Sequence, residues 1–181
     1  LHLASLCGHA RLVTLLVERG VHIDARDRDL ETPLHFACQN GHVEVANLLI
    51  DGGATVEAKS RDLMTPLHVA CRFGQAEVAN ALIDRGAYIE DRSKMDETPL
   101  HHACKTGMHS VVMALIYRGA DKEARDLRRY TPLHHTCCVP MSSRNNTLEG
   151  LIKSGVDLNA KDALGRTPLH TACLKGHAYQ A

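Results

Sequence analysis

The chain has no tryptophan, and only two phenylalanines and four tyrosines stand among its 181 residues. Any core it builds must therefore be aliphatic. An excess of charge is missing too, because lysine plus arginine and aspartate plus glutamate number 21 each. Nucleic acids and anionic bilayers select basic surfaces, so neither is expected as a partner. No apolar run approaches the roughly 18 residues that a membrane-crossing helix needs, so membrane insertion is not expected either. Signatures of reaction chemistry are also absent: there is no G-x-S-x-G, no phosphate-binding loop and no metal-protease or paired-acid pattern. An enzyme is thus not expected, nor a cofactor, nor a small-molecule substrate.

What is present is a period. Thr-Pro-Leu-His occurs at 32–35, 65–68, 98–101, 131–134 and 167–170, at spacings of 33, 33, 33 and 36. Leu1-His2 stands 33 residues before Leu34-His35, so it is a further copy that lacks its start. Glycine recurs in the same frame at 8, 41, 74, 107 and 176, and again at 20, 53, 86, 119 and 155. Thr is a strong N-cap, and Pro fits the first helical position, where its missing N–H costs nothing. The glycine at 41, 74 or 107 can take the left-handed geometry that ends a helix, whereas the fifth unit has lost it. A second helix then carries apolar pairs such as Leu48-Leu49 and Leu115-Ile116. The spacing predicts short helix–turn–helix units that bury an apolar face only against their neighbours.

These residues resemble the ankyrin repeat, whose signature is Thr-Pro-Leu-His-x-Ala in a 33-residue period. The resemblance covers the whole chain. It implies an all-α solenoid, with a helix pair plus a β-turn or hairpin in each repeat and about eleven helices in all. Residues 1–181 are expected to form one domain. Its units would be 1–31 (truncated), 32–64, 65–97, 98–130, 131–166 (with three extra residues) and 167–181 (truncated). The incomplete first and last units suggest a piece of a longer array or protein. The three extra residues fall within CVPMSSRNN, 138–146, as a lengthened loop, with the second helix there starting at Asn145 or Asn146.

The resemblance also assigns roles. Structural duties fall to Thr32, Pro33 and His35, and to Thr65, Pro66 and His68. They fall likewise to Thr98, Pro99 and His101, to Thr131, Pro132 and His134, and to Thr167, Pro168 and His170. The imidazoles would tie neighbouring turns together. Ankyrin repeats bind other proteins through turn tips and first helices on a concave face. The contact positions carried over are Arg28, Asp29, Arg61, Met64, Arg72, Phe73, Lys94, Met95, Lys105, Leu127, Arg128, Tyr130, Leu164 and Arg166. Met64, Phe73, Met95, Leu127 and Tyr130 would be apolar side chains in water. The expected role is a protein-interaction scaffold. The alternative is a regulatory or targeting segment of a larger enzyme, channel or receptor.

Two local features test this reading. The first is HHTCC, 134–138, which offers four zinc-binding side chains in five residues. His134 belongs to the Thr-Pro-Leu-His ladder, and Cys137 to a second ladder with Cys38, Cys71, Cys104 and Cys173. His135 shares its place with Leu3, Phe36, Val69, His102 and Thr171, so that position varies. Zinc wants three or four ligands, and the nearby sequence offers no others, so no metal site is expected. Packed helices lie too far apart for disulfides between equivalent cysteines. That implies a reduced intracellular setting, cytoplasmic or nuclear. The second feature is the turn tip two residues before each Thr. Ankyrin tips usually carry Gly there, but only Gly165 fits; Leu30, Leu63, Asp96 and Arg129 occupy the others. Strain or a different turn is expected at these four.

Overall fold

The computed structural model describes residues 1–139 and 145–174. Among these residues there are eleven helices and no strand. They come as pairs: α1 (His2–Leu6) with α2 (Ala10–Glu18), α3 (Pro33–Asn40) with α4 (Val43–Asp51), and α5 (Pro66–Phe73) with α6 (Ala76–Asp84). α7 (Pro99–Thr106) pairs with α8 (His109–Tyr117), α9 (Pro132–Cys137) with α10 (Asn145–Lys153), and α11 (Pro168–Leu174) follows. Odd-numbered helices pack on odd-numbered neighbours in one row, and even-numbered helices up to α10 on even-numbered neighbours in a second. The second helix of the fifth pair does start at Asn145. Most of the lengthened loop before it, 140–144, lies outside the described residues.

Helices of five to nine residues are too short to persist alone in water, so the stacking holds them. The Leu of each complete Thr-Pro-Leu-His from Leu34 to Leu133 is at most 2% exposed, and Leu49, Leu82, Leu115 and Leu151 of the second row are fully buried. Each such leucine contributes about 2–3 kcal/mol relative to an exposed one. Cys38, Cys71 and Cys104 are fully buried free thiols, filling the seam as small apolar groups. Gly41 ends α3 at φ 76°, and a Cβ there would come within 2.4 Å of Gln75 from the next pair. Both the left-handed turn and the close approach demand glycine.

At the turn tips, Leu30, Leu63, Asp96 and Arg129 have φ of 61°, 57°, 59° and 59°, beside Gly165 at 74°. Of the two expectations, strain is the one found: the chain keeps the glycine conformation with side chains that disfavour it. Backbone bonds across the tips enforce this, with Arg61 N–H donating to the Asp29 carbonyl at 2.7 Å and Lys94 N–H to Asp62 at 2.8 Å. A left-handed L-residue costs about 1–2 kcal/mol, and glycine's extra freedom when unfolded returns part of that. Leu63→Gly is therefore expected to raise unfolding stability by about 0.5–1 kcal/mol in urea titrations, since Leu63 is 45% exposed and gives up little packing. A loss of stability of that size would contradict the strain.

Candidate protein-binding groove

The Thr-Pro-Leu-His side chains form one repeated bond set. Thr65 caps α5, its backbone N–H donating to His68 Nδ1 at 3.2 Å. Because Nδ1 accepts that bond, the imidazole proton sits on Nε2, which donates to the Glu97 carbonyl 29 residues on, at 3.1 Å. His2, His35 and His101 make the same link to Glu31, Met64 and Tyr130, and His134 makes it to Arg166 across the longer spacing. Burial pushes His68 and His101 down to about 4, and lowers His35 and His134 as well. His35, His68, His101 and His134 are thus neutral ties between one helix pair and the next.

Around them the first-row helices and turn tips line a groove of about 690 Å³. Six of the fourteen contact positions meet there: Met64, Arg72, Phe73, Lys94, Met95 and Lys105. Phe73 and Met95 are each 44% exposed, and the Arg72 guanidinium lies 5.9 Å from the Phe73 ring centre. Met64 corrects the expectation that it is a wet apolar residue. It is 7% exposed, belongs to the apolar core, and has the Arg72 guanidinium 3.9 Å from its sulfur. It is the groove's floor and not a free side chain.

The other positions lie elsewhere. Arg28, Asp29, Arg61, Leu127, Arg128 and Leu164 are exposed near the turn tips, and Arg61 spans two tips by facing the Asp29 carboxylate at 3.5 Å. Tyr130 and Arg166 are half-buried and bond to each other, Arg166 Nη2 donating to the Tyr130 hydroxyl at 2.9 Å. Tyr130 also stacks on His134 with ring centres 5.1 Å apart. Both therefore also pack across the helix pairs.

From Glu97, His102 and Lys105 on the groove inward to His135 and Asp126, the structure assembles a group that sequence reasoning missed. Glu97 is 5% exposed and ion-paired with Lys105. His102 Nε2 stands 3.3 Å from Glu97 Oε2, and His135 Nε2 stands 3.9 Å from Oε1. His135 Nε2 donates to Asp126 Oδ2 at 2.9 Å. Asp126 Oδ1 accepts the Arg128 and Tyr130 backbone N–H groups at 2.8 Å each. Burial alone would raise the Asp126 carboxyl, but the His135 bond and these amides outweigh it and hold it below the usual carboxylate range. Burial, then the charges of His68 and Lys105, lowers His102. The position shared by Phe36, Val69, His102 and His135 looked merely variable in sequence. The missing signal was the pairing of residues 29 and 38 apart.

Two rows of short helices, tied pair to pair by histidines and opening on a tip-lined groove, define a helical-repeat architecture. The family model described as Ankyrin repeats (3 copies) matches residues 1–93 and 90–162. The chain belongs to the ankyrin-repeat family, whose members are generally protein-interaction modules. No curated protein matches the chain. Among the described residues, no helix is long and apolar enough to cross a membrane.

Proposed function

We propose that residues 1–181 act as one binding domain that holds a partner protein in the groove between Phe73 and Met95. The supporting observation is a pair of exposed apolar side chains on one concavity, above the buried floor of Met64. Apolar and aromatic anchors ringed by Arg and Lys are the residues that carry binding energy at interfaces. The rim supplies Arg72, Lys94 and Lys105 against Asp62 and the already paired Glu97. The complementary partner is a segment with one large apolar anchor flanked by a carboxylate. The chain serves recognition and not reaction.

Peptides selected from a display library on the wild-type chain test this reading. Phe73→Ala with Met95→Ala is expected to weaken the dominant binders at least about tenfold, the size of effect that truncating a central anchor has. Helix content should stay unchanged, since both side chains are half in solvent. Binders indifferent to both substitutions would place recognition on another face.

A further inference from the structure

We propose that Glu97, Asp126 and His135 form a binding site for a single divalent transition-metal ion of the zinc class, with His102 holding Glu97 in place. One oxygen from each carboxylate and one imidazole nitrogen lie within 4.8 Å of one another, all three residues buried. The separations around His135 Nε2 are 2.9 Å to Asp126 and 3.9 Å to Glu97. A tetrahedral ion with arms of about 2.0–2.1 Å sets its ligand atoms about 3.3 Å apart. The two separations from His135 bracket that value, and the three ligand atoms together lie within 4.8 Å. Nitrogen with two carboxylate oxygens suits zinc and its neighbours better than calcium, which asks for six or more oxygens. Three protein ligands leave a fourth position open, toward the groove that Glu97 and Lys105 line.

A second observation points to the same place. His102 Nε2 is buried and has no hydrogen-bond partner, although it faces Glu97 Oε2 at 3.3 Å. A buried polar nitrogen without a partner costs free energy. A small turn of the Glu97 carboxylate, with Oε1 on the ion and Oε2 toward His102, gives that nitrogen an acceptor. This is the usual arrangement by which an outer histidine orients a ligating carboxylate. Coordination takes the lone pair of His135 Nε2, and the proton it now gives Asp126 moves to Nδ1. Lys105 is the competitor, because its ammonium sits on Glu97; its side chain is 41% exposed and can swing into solvent.

The repeat isolates the site. The corresponding triplets at the other seams are Glu31, Ser60, Val69; Met64, Ser93, His102; and Tyr130, Asp162, Thr171. Only the seam between α7 and α9 unites two carboxylates with an imidazole. The same ladders supply replacements that this fold already accommodates elsewhere: Glu97→Met, Asp126→Ser and His135→Thr.

The test titrates Zn2+ and Co2+ into tag-free, chelator-treated chain by calorimetry and visible absorption. One Zn2+ per chain is expected to bind at micromolar concentration or tighter, and Co2+ to give the intense d–d band of a four-coordinate site. Each ladder replacement should weaken that binding at least about tenfold and erase the band while helix content persists. His102→Val should weaken it about tenfold, as removal of an outer-sphere partner does. Lys105→Gln should instead tighten it several-fold by removing the competing ammonium, which a purely structural ion-pair network would not do. No Zn2+ binding, equal binding by the three ladder variants, unchanged or weaker binding by Lys105→Gln, or a preference for Ca2+ would each overturn the site.

Discussion

Lowering the pH from 6.5 to 4.5 is expected to cost the array about 5 kcal/mol of unfolding stability. His68 and His101 are buried as neutral rings with values of about 4, against an ordinary 6.5. An unfolded chain takes up those protons below pH 6.5, while the folded chain refuses them until near pH 4. The unfolded state thus binds more protons in this window, so stability falls as pH falls and is fully present above 6.5. At pH 4.5 each ring accounts for about 2–3 kcal/mol. His35 and His134 shift the same way and add to the loss. His102, lowered further still by burial, adds to the loss in the same direction. Glu31, Glu57 and Glu90, raised by burial, work in the opposite direction and recover part of the loss. Urea titrations followed by circular dichroism at pH 7.5, 6.0 and 4.5 measure the total. Coincident midpoints at 7.5 and 4.5 would sink the account of neutral, buried ties.

His101→Leu is expected to cost about 2–4 kcal/mol, whereas His170→Leu in the same 181-residue chain should cost less than about 1 kcal/mol. Both residues end a Thr-Pro-Leu-His, and both accept the N–H of their Thr through Nδ1, at 3.1 Å and 3.3 Å. Their surroundings differ. His101 is fully buried, and its Nε2 reaches the Tyr130 carbonyl at 3.1 Å. A leucine there leaves the buried Thr98 N–H without an acceptor and strips one of two donors from Tyr130 O, which keeps the Asp126 N–H. Unsatisfied buried groups cost about 1–3 kcal/mol each. His170 is exposed, and among the described residues its Nε2 meets no carbonyl, so water replaces what leucine removes. Equal costs in urea unfolding would show that the histidine acts only as a local helix cap and not as a tie between pairs.

Much of this was readable in advance because it is local. Thr-Pro followed by His three residues after Thr states a helix start and its cap in four letters, and all the complete copies obey it. Gly41, Gly74 and Gly107 mark helix ends for the same short-range reason. The start of α10 at Asn145 was legible from the slipped register of the fifth unit. Met64 was not: its burial depends on how one helix pair packs on the next, and nothing within a few residues records that. Tyr130 and Arg166 are 36 residues apart, and nothing local foretells their mutual bond. The turn tips lie between these cases. Leu30, Leu63, Asp96 and Arg129 announced a departure from glycine, but only the bonds between neighbouring tips decided that the backbone would keep the left-handed turn.

The amino-acid order alone determined the period, the helix boundaries, the buried leucine and histidine ladders and membership of the ankyrin family, since each depends on propensities and bonds spanning a few residues and then repeats. The tertiary structure alone decided which side chains share a pocket. Glu97, Asp126 and His135 lie 29 and 9 residues apart along the chain, and the pitch of one helix pair on the next brings two buried carboxylates and an imidazole together at a single seam.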